Sequence, residues 1–77
     1  MKQEHSETYR KLRFNITYAR KMQGLSQLQL AEKVGISRTH MSNIEAPNVE
    51  KSLSLSKLFD IADVLGVLPH KLLEFKD

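Results

Sequence analysis

The sequence predicts an all-α fold, a bundle of five short helices. Apolar residues recur at three- and four-residue spacing along most of the chain, which is the period of a helix with one buried face. The strict alternation of a half-buried strand does not occur. Ser26, Ser37 and Ser54 precede apolar runs, and Gly24, Gly35 and Gly66 follow them. Serine satisfies free amides at a helix start, and glycine takes the left-handed conformation that closes a helix end.

The first helix is expected from about Glu7 to Gln23, with Tyr9, Leu12, Ile16 and Ala19 as its inward stripe. Phe14 and Tyr18 fall on the opposite side. They either close over the N-terminal residues, cover a partner subunit or stay in solvent. The second helix has Ser26 as its cap and Gln29 three residues on, a capping box, with Leu25 and Leu30 placed as a hydrophobic staple. Leu28, Ala31 and Val34 continue its apolar positions, and Gly35 ends it after about two turns. The third helix starts almost at once, with Ser37 as cap, Arg38 as first residue and Met41 and Ile44 facing inward. Ala46 and Pro47 end it, and residues 46–53 read as a polar loop. The fourth helix is expected over about Leu55 to Leu65, with Leu55, Leu58, Ile61, Ala62 and Leu65 inward. Pro69 suits the first position of a short fifth helix that ends near Phe75.

Composition bounds the function. With 77 residues, 40% of them apolar and 27% charged, there is room for one domain with a small core. The expected organisation is a flexible N-terminal tail at 1–6 and a single domain over 7–76. Cysteine is absent, which excludes disulfides and thiolate metal sites. His5, His40 and His70 sit on separate elements, so neither a metal nor a cofactor is expected. No nucleophile, base and acid stand together in a way that suggests a catalytic pocket, and the chain is expected not to be an enzyme. No run approaches the ~20 apolar residues of a membrane span, and polar Met1–Glu7 does not open a secretory signal. A cytoplasmic protein without a membrane partner is therefore expected.

The net charge is +3. Its distribution is more informative than its size. Arg10, Lys11, Arg13, Arg20, Lys21, Lys33 and Arg38 lie in the first half, while the second half is near neutral. A basic half and a neutral half suggest a division of labour, with nucleic acid as the partner of the basic one. Lys11, Arg13 and Lys21 read first as a solvated face, with contact to phosphate as the alternative.

The second and third helices carry the functional argument. Helices of about two turns are not stable alone, but packed together at a steep angle they hold the second clear of the body. A rigid, exposed, short helix fits the DNA major groove. At about 100° per residue, with Met41 pointing inward, Thr39 and Asn43 point directly away. Arg38 and Ser42 lie on one flank of that face and His40 on the other.

Residues 25–45, with "LSQ..LAEKVGIS" and "MSNIE", resemble the Cro/phage-repressor (XRE-like) helix-turn-helix family. The resemblance extends upstream to Arg20 and downstream through "LFDIADVLGV", so it covers about 55 to 60 residues. It implies a lambda-repressor-like bundle with the helix-turn-helix at about residues 26–45. It implies that Gln27 opens the second helix against a phosphate, and that Arg38, Thr39, Ser42 and Asn43 face bases and backbone. It also implies an ion pair between Arg20 and Glu45 that holds the first helix to the third. Two departures stand out. The turn after Glu45 is Ala46-Pro47-Asn48 rather than a small basic turn with glycine, and it is about two residues longer than usual. The fifth helix lacks a serine cap, since Leu68 precedes Pro69.

The resulting expectation is a sequence-specific binder of double-stranded DNA, a transcriptional regulator acting as a repressor. A homodimer would read a near-palindromic operator. Gln29, Asn48 and Lys51 are further candidates for phosphate contact. Leu68, Leu72, Leu73 and Phe75 are candidates for the dimer interface, because one small core would not hide all four. The alternatives are an antitoxin with a toxin partner, a restriction–modification controller on the same fold, and a helical protein-interaction module without DNA binding.

Overall fold

A computed structural model describes residues 5–47 and 49–74. The helices are α1 (Ser6–Met22), α2 (Gln27–Val34), α3 (Arg38–Ile44), α4 (Val49–Ser52) and α5 (Leu55–Leu65), and a 3-10 turn follows at Pro69–Leu73. Among the described residues there is no strand. The helix α1 begins at Ser6, inside the segment expected as a tail; residues 1–4 lie outside the described residues.

The starts and stops follow the side chains. Ser26 accepts from the Gln29 amide, and the Gln29 side chain accepts from the Ser26 amide at 2.8 Å, which completes the capping box of α2. Ser37 caps α3 through the His40 amide, and Ser54 caps α5 through the Lys57 amide. Gly35 closes α2 at φ +88°, and its amide bonds the Ala31 carbonyl at 2.8 Å. The Ile36 amide reaches the same carbonyl at 3.0 Å. This pair of bonds reverses the chain within three residues, so that α3 starts across the end of α2.

The core runs under α3. Ile16 of α1, Leu30 and Ala31 of α2, Met41 and Ile44 of α3 and Ile61 of α5 are fully enclosed. Helix α2 packs on both α3 and α5, and α1 covers the other side together with the 3-10 turn. Asn15 Nδ2 donates to the Leu72 carbonyl at 2.8 Å and to the Glu74 carbonyl at 3.0 Å. These bonds tie the last described residues back to α1.

Three expectations need correction. The polar loop at 46–53 contains α4, because Val49 is itself a core residue with no exposed surface. The Val49 amide bonds Ala46 and its carbonyl takes the Leu53 amide at 2.9 Å, so one helical turn forms around the buried valine. The expected fifth α-helix is a 3-10 turn. Its bonds skip one residue fewer, from Lys71 to Leu68 at 2.9 Å, and it has no side-chain cap. Such short, tight turns replace α-helix where there is no length for a full ladder. The expected set of five helices is thus not the one observed: α4 is added, and the last element is a 3-10 turn. Finally, Leu55 is 65% exposed rather than inward. It is the first residue of α5, one turn short of Leu58 where the helix meets the core.

The α2–α3 turn supplies a direct test. A Cβ at Gly35 would meet no atom within 4 Å, so the left-handed backbone is the whole constraint. Gly35→Ala is therefore expected to cost about 1–2 kcal/mol, a fall in thermal midpoint of about 4–8 °C per kcal/mol in a domain of this size. Gly35→Asn is expected to cost less, since asparagine tolerates this conformation. Equal losses in thermal unfolding would contradict a conformational origin.

Candidate nucleic-acid interface

Helix α3 has two unlike sides. Met41 and Ile44 are enclosed in the core, and Thr39 and Asn43, opposite them, are exposed. Arg38 is exposed at the first turn, and Ser42 is half-buried on the flank. Arg38, Thr39 and Asn43 thus share one open surface that offers donors and acceptors and no large apolar group. That combination suits the polar edges of bases in a groove.

His40, expected on the other flank of that face, is tied into the fold. It is half-buried, and its Nε2 donates to the Ser52 carbonyl at 2.8 Å. It fastens α3 to the end of α4. Sequence reasoning placed it on the groove-facing flank because α4 was read as loop.

Behind the open face stands one carboxylate. Glu45, at the end of α3, has a side chain 3% exposed, and that of Arg20 is 9% exposed. Arg20 Nε donates to Glu45 Oε2 at 2.8 Å and Nη2 to Oε1 at 3.0 Å, a two-pronged pair. Thr17 Oγ1 donates to Oε1 at 2.9 Å, and Gln27 Nε2 reaches it at 3.2 Å. The third guanidinium nitrogen of Arg20 donates to the Leu25 carbonyl at 2.7 Å. One cluster therefore joins α1, the first residue of α2, the turn before it and the end of α3. Thr17 was missed by sequence reasoning. The only signal was its place three residues before Arg20 on the same helix face.

Gln27 is half-buried behind α3, with its amide nitrogen held by Glu45. Gln29 is exposed, but its amide oxygen serves the cap of α2. Lys51 is exposed on α4, and Asn48 lies outside the described residues. At the C-terminal end, Leu68 is 61% exposed and Leu73 45%. Leu72, expected beside them in a dimer interface, belongs to the chain's own core at 3% exposure. Phe75 lies outside the described residues. Among the described residues, no three His, Asp or Glu side chains group as a metal site requires, and no helix is long and apolar enough to cross a membrane.

Two short helices at a glycine turn, the second with a buried back and a polar front, define a helix-turn-helix domain. The family model described as Helix-turn-helix matches residues 16–72, and the chain belongs to that family, in its XRE-type branch. The HTH-type transcriptional regulator SinR of Bacillus licheniformis is 40% identical to it over 58 residues, covering 75% of this chain and 51% of that protein. The chain spans about half the length of this curated relative. No solved structure matches.

The Arg20–Glu45 cluster predicts strong coupling. Removing one partner strands a buried charge, at a cost of about 3–5 kcal/mol. Arg20→Ala and Glu45→Ala are each expected to destabilise by a value in that range. The double variant is expected to lose less than the sum of the two. Additive small losses in denaturant unfolding would reduce the pair to surface charges.

Proposed function

We propose that the chain is a DNA-binding transcriptional regulator whose recognition element is α3. The observation that carries this reading is the open face of Arg38, Thr39 and Asn43, held rigid by enclosed Met41 and Ile44 behind it. Arginine and asparagine are the side chains that read guanine and adenine edges with two bonds each. Gln27, half-buried behind α3, and exposed Lys51 on α4 are the candidates for the sequence-independent contact with phosphate that positions the protein. The family match and the regulator SinR support the same role.

The finer reading is a repressor that acts as a homodimer on a near-palindromic operator. Exposed Leu68 and Leu73 support the C-terminal part as the dimer contact. Leu73 continues into an apolar groove with Tyr9, Leu53, Leu55 and Leu58, a surface on which a second copy would bury exposed Leu55. Repression follows when the bound dimer occupies a promoter.

Selection of bound sites from random duplex DNA is the principal test. The expected outcome is a symmetric site with half-sites about 34 Å apart. Recovery of no enriched sequence would refute specific binding. On the selected site, Arg38→Ala is expected to lose about 1–3 kcal/mol and to relax preference at one base position. Retained affinity and preference would remove Arg38 from the reading face. In sedimentation, Leu73→Glu is expected to give folded monomers with weakened operator binding. A wild type that stays monomeric on DNA would overturn the homodimer.

A further inference from the structure

The side of α1 that meets the recognition helix continues past the Glu45 cluster. Arg13, Thr17 and Arg20 stand at i, i+4 and i+7, so they share one face of α1. Thr17 and Arg20 both bind Glu45. One turn earlier, Arg13 lines a shallow depression with Ser6, Glu7, Arg10 and Pro47, the residue two past Glu45. Its Nε is enclosed there with no hydrogen-bond partner. Among the described residues, no carboxylate pairs with Arg13.

Phe14 organises the two arginines. The guanidinium of Arg13 lies 4.9 Å from the ring centroid and that of Arg10 5.4 Å from it. The ring is 49% exposed, so it is a platform for cations at the surface rather than a core residue. Arg10 already has a counter-charge in Glu7. The hydrogen bond from Arg10 holds the Glu7 carboxyl below its ordinary range and strengthens the guanidinium's hold on its proton. Among the described residues, Arg13 is the cation of this group without a carboxylate partner.

We propose that Arg13, steadied on Phe14 and assisted by Arg10, grips a phosphate of the DNA strand that borders the groove entered by α3. This rests on the DNA-binding reading and adds a contact surface to it. The chain that follows a helix seated in a groove can pass close to the phosphate ridge beside that groove. Here that chain is Ala46 and Pro47, and Arg13 lines the same depression as Pro47. A guanidinium presents several donors in a plane and matches phosphate with paired bonds. The contact is with backbone and carries no sequence preference. It compensates for the absence of a basic residue at Ala46 and Pro47.

The test measures binding of the full chain, across a range of salt, to the selected duplexes and to unselected duplex DNA. Each phosphate contact on duplex DNA contributes about −0.9 to the slope of log affinity against log salt. Arg13→Gln is expected to make the slope shallower by about 0.9 on both DNAs. Arg13→Lys is expected to keep the slope, because the charge stays, and to lose part of the affinity with the planar contact. An unchanged slope for Arg13→Gln, with normal binding by the wild type, overturns this inference and leaves the DNA-binding reading standing. A change confined to one base position of the selected site overturns it as well, since Arg13 would then read sequence. No binding of either DNA by the wild type overturns both. Should Arg13→Gln fail to fold, Arg10→Gln and Glu7→Gln test the exposed side of the same patch. Arg10→Gln is expected to weaken binding and Glu7→Gln to strengthen it; no effect of either overturns the clamp.

Discussion

Glu45 sits where the recognition helix ends, and its carboxylate accepts hydrogen bonds from Thr17, Arg20 and Gln27. Those donors belong to α1 and to the first residue of α2. A buried ion pair is weak evidence for stability, because desolvation of both charges offsets most of their attraction. An apolar pair of similar volume would hold the helices together equally well. It would not fix their angle, since apolar contact is non-directional. A carboxylate that takes a two-pronged arginine and two further donors favours one orientation of α3 on α1. Hydrogen-bond geometry at Glu45 and the packing of Met41 and Ile44 together set the direction in which α3 projects.

The rest of the fold serves the same constraint with little material. Neither α2 nor α3 is long enough to persist alone, so both depend on the shared core. That core lies directly under α3 and includes Val49 from the chain just after it. His40 adds a tie on the same side by bonding the Ser52 carbonyl at the end of α4. The recognition helix is therefore held at its base by Glu45, along its back by Met41 and Ile44, and on its flank by His40. Its front, with Arg38, Thr39 and Asn43, is exposed and lies outside that core.

What the sequence made legible was local. Ser26 with Gln29, Ser37, Gly35 and Gly66 signal helix ends through bonds that span a few residues, and each is placed in the structure as the pattern requires. The alternation of Met41 with Thr39 and Asn43 likewise depends only on helix period. The departures arise where a distant contact decides. Val49 looks like one apolar residue in a polar stretch until the core claims it, and with it goes the reading of 46–53 as loop. His40 looks open until α4 exists to receive it. Leu72 looks like a neighbour of Leu68 and Leu73, but a 3-10 turn sends it alone into the core. The Arg20–Glu45 pair came from family resemblance and not from spacing. Thr17 and Gln27, the partners that complete it, had no signal strong enough to single them out for that task.

The open face also bears on how many copies must act. Arg38 and Asn43 are the two side chains there that are suited to paired bonds with a base edge, each worth about 1–3 kcal/mol of discrimination. Specific binding commonly exceeds non-specific binding by about 4–10 kcal/mol. One copy of α3 reaches only the lower end of that range, while two copies reach well into it. Affinity poses the opposite problem, because phosphate contacts strengthen binding to all sequences alike. Arg38 on α3 and Arg13 on α1 put the proposed base contact and the proposed phosphate contact on separate elements, which keeps these two requirements apart. The reading face can then change without altering the hold on the backbone. The hold can be strengthened without blurring the choice of site. The rigid attachment of α3 makes this separation possible: a recognition helix free to tilt would exchange base contacts for phosphate contacts, and choice would fall as affinity rose.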